Sequence, residues 1–552
     1  MDEKIKIEEE KQEESNIIKK FTKNVFTSAV SLLLIKFLGF IYRALLFNIK
    51  GYTDEANGYY SAGYELYALI LAIIATGIPN IISRLTAEKI GQNKKEDAKR
   101  IFNVALKFFG IISIVSSILL YIFADQIAIK IYTIPKVAIV IKVLAPAIFF
   151  VSTSSIIRGH FIGIGNVSPS NKAQLLEQLL NCSLTILFAY IASGRPPHLI
   201  AAAANVSTTI AAILSFTYLM YFLFKTKDIK NIKLKIIEKD KNEKIKNKKI
   251  LNEILKITIP ITIGTFIGVF NLFIDSVTVS RGMQKALSGT ITNIDLLKSK
   301  AIEANGLISK VNLIVTAPQV LSQAFANILI TSVAFYTAKK EFKKAADNIT
   351  GSLKVLLILL LPATVGIISL SYPILKLIFP LAPDGHKLLQ MYSIVGIFIS
   401  FNMVFNSALN GLGKVKIPPV IVLISAIIKI VLNIILIPIP SINIYGSPIA
   451  SLASQITIFV ITFFILRKYV DISFGGIKYI LKVVFASGFM GIGAFYSNLF
   501  IKNYVGERIS CIISIFIGIL IYTILIFLLR AMDEEMIEKI PILNKVKKER
   551  KG

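Results

Sequence analysis

Apolar runs of about twenty residues, each closed by a charged cluster or a Gly/Pro break, recur along the whole chain. That is the length a helix rising 1.5 Å per residue needs to cross the hydrocarbon of a bilayer. The runs predict spans near 22–48, 59–85, 101–124, 136–158, 174–193, 197–224, 254–281, 308–336, 352–373, 386–410, 418–439, 444–466, 479–501 and 509–531. Hydrocarbon offers no partner to a peptide N–H or C=O, so each run is expected to be a helix. The fold class expected is all-α integral membrane, with about fourteen transmembrane helices. The pairs within 174–224 and 418–466 are the hardest to divide, because only a few polar residues separate their members.

The polar segments between the runs alternate in charge. The N-terminal tail, the loops after even-numbered spans and the C-terminal tail hold about forty Lys and Arg, against about a dozen in the loops after odd-numbered spans. Arg84–Arg100, Lys225–Lys256 and Lys339–Lys344 are examples from the rich side. Basic loops stay cytoplasmic, so both termini are expected there, in a multi-pass protein of the cytoplasmic membrane. Residues 1–20 are too polar for the apolar core of a signal peptide, and the first run would serve as an uncleaved anchor. The stretch 225–256 reads as a solvated basic linker able to touch anionic lipid.

Two short patterns occur twice in the same order. Thr86-Ala87-Glu88-Lys89 and a following Lys pair precede one span, and Thr337-Ala338-Lys339-Lys340 with its Lys pair precedes another. Gly163-Ile-Gly165-Asn-Val-Ser-Pro169 returns as Gly411-Leu-Gly413-Lys-Val-Lys-Ile-Pro418. A six-span unit enters the membrane in the same direction each time, so the repeat is parallel, with a substrate site expected between two lobes. The expected organisation is a cytoplasmic tail (1–21), an N-lobe (22–224), a basic linker (225–253), a C-lobe (254–466), two extra helices (479–531) and a second tail (532–552).

Composition narrows the function. Of 552 residues, 54% are hydrophobic and 17% charged, and the net charge is +29. Because the lysines are scattered over short loops, that charge points away from nucleic acid and toward a membrane setting. Cys182 and Cys511 each lie inside an apolar run, and His160, His198 and His386 are far apart, so no metal site, disulfide framework or cofactor is expected.

Charges inside spans cost about 2.5–3.5 kcal/mol at the centre and tend to face an interior. Lys36 and Arg43 share the first span. Seven steps of about 100° bring them to within roughly 20° of one face, about 10 Å apart, an arrangement suited to a diphosphate. Glu65 and Asp275 are the deepest acids, expected either to bind a coupling ion or to balance the cations. Arg158 and Glu177 read as interfacial, Arg281 and Lys310 as residues bracketing the outer loop near 282–307 and lining a vestibule, and Lys429 as facing a groove. Gly77, Pro79, Pro260, Pro318 and Pro362 mark candidate bends.

The segment Lys36-Phe-Leu-Gly39-Phe-Ile-Tyr-Arg43 is similar to the first-span segment of lipid II flippases. Asn57-Gly58-Tyr59-Tyr60, Gly77-Ile-Pro79, Arg158-Gly159, Gly163-Ile-Gly165-Asn166 and Glu177-Gln178 resemble the stage V sporulation protein B branch of the multidrug/oligosaccharidyl-lipid/polysaccharide exporter superfamily. The resemblance covers residues 20–530. It implies a flippase delivering an undecaprenyl-diphosphate-linked glycan precursor such as lipid II to the outer leaflet, for peptidoglycan or spore cortex. It further implies basic residues that receive the diphosphate in a central cavity, and a groove for the lipid tail beside the last two spans. Lys36 is the position carried by the motif; arginine is common there, and lysine forgoes its bidentate geometry. The expected partners are the lipid-linked glycan and membrane lipids, for a monomer that is not an enzyme. A cation-coupled multidrug exporter of the same fold, an O-antigen or capsule repeat-unit flippase and, more remotely, a membrane glycan polymerase stay open as alternatives.

Overall fold

A computed structural model describes residues 38–225 and 241–531, without the side chains of 241–246, 260, 261, 263, 264 and 267. The described residues are helical almost throughout and contain no strand. A helical stretch at 38–46 is followed by α1 (Asp54–Ile74), α2 (Ile78–Gly91), α3 (Lys95–Ile127), α4 (Ala138–Gly163), α5 (Ser168–Ile191), α6 (Pro197–Lys225) and α7 (Lys241–Leu287). Then come α8 (Ile294–Ala338), α9 (Phe342–Ser369), the short α10 (Ser371–Ile378), α11 (His386–Gly411), α12 (Ile417–Leu436), α13 (Gly446–Arg467), α14 (Ile477–Val505) and α15 (Glu507–Leu528). Among the described residues, twelve helices are long and apolar enough to cross a membrane. Most of the expected first span lies outside the described residues.

The doubled sequence patterns make doubled turns. After α4 the amide of Gly165 donates to the Ile162 carbonyl and that of Asn166 to the Phe161 carbonyl, at 3.0 and 2.9 Å. After α11 the amides of Gly413 and Lys414 repeat this on the carbonyls of Asn410 and Leu409, at 3.0 and 2.8 Å. Gly165 and Gly413 have φ of 79° and 77°, a left-handed conformation that a side chain resists, which is why each copy places a glycine there. Pro169 and Pro418 open the next helices, where no amide proton is needed. The Thr-Ala-x-Lys copies likewise turn through Asn93 and Lys340, with φ of 58° and 60°.

The second span is one membrane-length segment over Asp54–Gly91, broken at the expected bend: Pro79 stands in the first turn of α2, Gly77 caps it, and the amide and hydroxyl of Thr76 both reach back to the Leu71 carbonyl, at 3.1 and 3.2 Å. Two expectations are corrected by element lengths. The outer loop expected over 282–307 shrinks to residues 288–293. It ends where the Asn293 side chain accepts the amides of Asp295 and Leu296 and caps α8. Of the expected linker, residues 241–253 already belong to α7, and 226–240 lie outside the described residues.

The chain divides into two compact units. The first comprises the described parts of 1–52, 62–131 and 135–269; the second comprises Thr53–Ser61, Tyr132–Ile134 and 270 onward. In the first, Ile78, Ile82, Phe102, Phe109, Ile157, Phe161 and Leu219 form the core between α2, α3, α4 and α6. In the second, Leu353, Leu356, Phe401, Phe405, Leu466 and Val483 do so between α9, α11, α13 and α14. The outward faces are equally apolar. On α3, Ile111, Val115, Ile118 and Ile122 are exposed, and so are Phe489, Phe500, Phe516 and Phe527 on α14 and α15. Continuous apolar exposure of this kind is unfavourable in water and costs nothing against lipid tails.

Candidate functional site

Three ion pairs lie deep in the described residues: Arg158 with Glu177, Lys310 with Asp54, and Lys429 with Asp275. In the first unit, Arg158 near the end of α4 is buried and donates through Nη2 to the Glu177 carboxylate of α5 and, at 3.2 Å, to Ser215 Oγ of α6. Ser215 Oγ in turn donates to the Ala173 carbonyl at 3.2 Å, so one guanidinium ties three helices. Its head group is enclosed, because a buried guanidinium needs a counter-charge and finds it on the next helix, and it stands in the last two turns of α4, the helix end at which an interfacial position is expected. Around this pair lie Tyr64 and Tyr67 of α1, each within electrostatic reach of Glu177; Tyr64 also senses Arg43, and Tyr67 senses Arg158. Arg43 is half-buried in the stretch 38–46, which Cys182 of α5 holds by donating from Sγ to the Leu38 carbonyl at 3.7 Å. Glu65 is half-buried beside Tyr64. Arg43, Glu65, Arg158 and Glu177 are thus brought into one unit, whereas Lys36 lies outside the described residues.

The second unit holds two further pairs. Lys310 of α8 is completely buried; its Nζ donates to the Asp54 carboxylate at 2.7 Å and to the Ala382 carbonyl at 2.8 Å. It sits in the first half of the 45-residue α8 and does not line a vestibule in this structure, because the carboxylate and carbonyl enclose its head group. Arg281, two turns before the end of α7, is exposed. Lys429 of α12, expected to face a groove, is buried instead. It donates at 2.6 Å to Asp275 of α7 and at 3.2 Å to the Asn271 carbonyl. Asn433, one turn along α12, donates to the other oxygen of Asp275 at 3.0 Å and to Thr278 at 2.9 Å; Ser447 of α13 donates to Asp275 at 3.3 Å.

Sequence reasoning missed Asp54, Asn433 and Ser447. Asp54 stands in the first turn of α1, where an acid is an ordinary helix-start residue. Asn433 carried a usable signal, lying four positions after Lys429 and so on the same face. Of the candidate bends, the Gly77–Pro79 break is real, Pro318 and Pro362 lie inside α8 and α9, and position 260 falls inside α7. Pro146, within α4, was missed.

Residues 21–295 match the family model for polysaccharide biosynthesis proteins, and residues 295–435 match the MatE model. Stage V sporulation protein B of Bacillus subtilis (strain 168) is 21% identical over 527 residues, covering 93% of this chain and 96% of that protein. Lipid II flippase MurJ of the same organism is 24% identical over 492 residues, covering 86% of this chain and 87% of that protein. Among solved structures, a lipid II flippase MurJ in an inward closed conformation superposes with a TM-score of 0.68 at 18% identity, covering 90% of this chain and 97% of that one. An inward-facing multidrug resistance transporter of the MATE family superposes with a TM-score of 0.64 at 16% identity, covering 80% and 97%. At such identities the superpositions establish the fold.

Proposed function

We propose, from the premise that this chain belongs to the stage V sporulation protein B-like and lipid II flippase-like branch of the multidrug/oligosaccharidyl-lipid/polysaccharide exporter superfamily, that it carries an undecaprenyl-diphosphate-linked glycan precursor to the outer leaflet. Lipid II is the precursor this reading favours, and both termini are read as cytoplasmic. The reading rests on the branch itself and on one structural observation. Asp275, the deep acid that a cation-coupled exporter would rely on, is closed off by Lys429 at 2.6 Å. With Asp275 engaged inside the protein, the reading turns for cargo binding to the cationic side chains Lys36 and Arg43. The seven-residue spacing of this lysine and arginine is the one expected to put both on one helix face, where they would attract a diphosphate and repel a cationic drug. Gly77 with Pro79, Pro260 and Pro318 are the positions proposed to bend as the lobes exchange access.

The test is rescue of a strain depleted of its own lipid-linked precursor flippase. Wild type should restore translocation, whereas Lys36→Ala should weaken it and Lys36→Glu abolish it, with precursor accumulating on the cytoplasmic side. Full rescue by both variants would remove the diphosphate role. Resistance to cationic dyes that depended on Glu65 or Asp275 would favour the exporter instead.

A further inference from the structure

The Asp275 cluster is built from oxygen donors. Asp275 offers two carboxylate oxygens, Asn271 a main-chain carbonyl, and Ser447 and Thr278 hydroxyls; Tyr392 OH adjoins Ser447 Oγ at 2.8 Å. Asn433 is fully buried, and its Oδ1 has no hydrogen-bond partner while its Nδ2 addresses Asp275 and Thr278. A half-turn of that amide would exchange the nitrogen for an oxygen. Carboxylate, carbonyl, hydroxyl and amide oxygens gathered in a low-dielectric interior are what replaces the hydration shell of a monovalent metal ion. The positive charge in this cluster is the Lys429 ammonium, a head group of about the size of a monovalent ion, with three donors and no acceptor.

We propose that the Lys429 ammonium is a tethered cation that fills and closes an oxygen-lined monovalent-cation site inside the second unit, so that this unit keeps its charge balance without taking Na+ or K+ from solution. The geometry supports a filled site over a simple ion pair on two counts. Nζ is shared between the carboxylate and the Asn271 carbonyl one turn earlier on the same helix, as an ion would be. The second carboxylate oxygen is not turned toward the amine but held by Asn433 and Ser447, which keeps the oxygen set ordered around the charge. The inference concerns ion dependence and stands whatever the cargo is.

The experiment compares thermal unfolding of the purified chain in NaCl, KCl and choline chloride at equal ionic strength, with direct binding of radioactive sodium as a second readout. Wild type should unfold at one temperature in all three salts and bind no sodium stoichiometrically. Lys429→Ala should unfold several degrees lower in choline chloride, recover saturably in NaCl or KCl, and bind close to one ion per chain. Asp275→Ala combined with Lys429→Ala should lose that recovery, since the ion is held by the carboxylate. The proposal is overturned if Lys429→Ala melts alike in all three salts. It is equally overturned if that variant cannot be recovered folded in any of them, because a mobile ion should have restored the missing charge. Stoichiometric sodium binding by wild type, lost in Asp275→Asn, would also overturn it.

Discussion

Lys310 and Asp54, 256 positions apart in sequence, form a buried ion pair at 2.7 Å in which the lysine has no exposed surface. The helices carrying them cross at glycines just beyond the pair. A Cβ on Gly306 would fall on the Asp54 carbonyl oxygen, and one on Gly58 would fall on the carbonyl of Ile302. Asn57 adds a hydrogen bond from its side-chain amide to the Gly306 carbonyl at 2.7 Å. Close helix approach, an ion pair and an amide bond therefore fix one crossing, and the Thr53–Ser61 turns pack with the second unit as a result.

Removing one partner of that pair leaves a bare buried charge. Lys310→Met is expected to cost about 3–5 kcal/mol, and the double replacement Asp54→Leu with Lys310→Met markedly less. Thermal unfolding of the purified variants, read by circular dichroism, checks the order. A double variant as unstable as the single one would show that packing rather than charge holds the crossing.

The glycines make a separate prediction. Gly306→Ala forces apart two backbones and is expected to cost at least about 1–3 kcal/mol. Gly110→Ala meets nothing within 4 Å in a helix interior and should stabilise by up to about 1 kcal/mol through helix propensity. Opposite shifts of the unfolding midpoint are the expected result.

The Arg158–Glu177 pair is asymmetric, with 8% of the arginine side chain exposed against 26% of the glutamate. Glu177→Gln strands a buried guanidinium, whereas Arg158→Met leaves a carboxylate that the protein only partly encloses. The glutamine variant should therefore be the less stable of the two in the same melting experiment. Equal losses would mean that the carboxylate is as cut off from water as the guanidinium.

Orientation is testable because both native cysteines, Cys182 and Cys511, are free and buried. The native chain should label slowly with a membrane-impermeant maleimide. Ser288→Cys, in the exposed turn between α7 and α8, should label in intact cells, and Lys551→Cys in the C-terminal tail only after permeabilisation. The reverse pattern would invert the proposed topology.

Much of the fold could be read from the sequence alone. Hydropathy located the helices because lipid leaves a backbone no other way to satisfy its hydrogen bonds. The doubled turns were visible as Gly165 with Pro169 and Gly413 with Pro418, since a left-handed cap and a helix start each admit few residue types. Helix ends were less legible. α7 and α8 run through stretches that read as linker and loop, because a helix stabilised inside the membrane continues into water until a cap such as Asn293 stops it.

The charged positions mark the division most sharply. Composition and spacing alone determined that Lys310, Lys429, Asp275 and Arg158 lie within or at the ends of apolar spans, where each needs a reason to be there. Only the tertiary structure decided what that reason is: Asp54 for Lys310, Asp275 for Lys429 and Glu177 for Arg158. The physical cause is that a single helix records which of its own residues share a face. The partner that neutralises a buried charge stands on another helix, up to 256 positions away, and is chosen by how the helices pack.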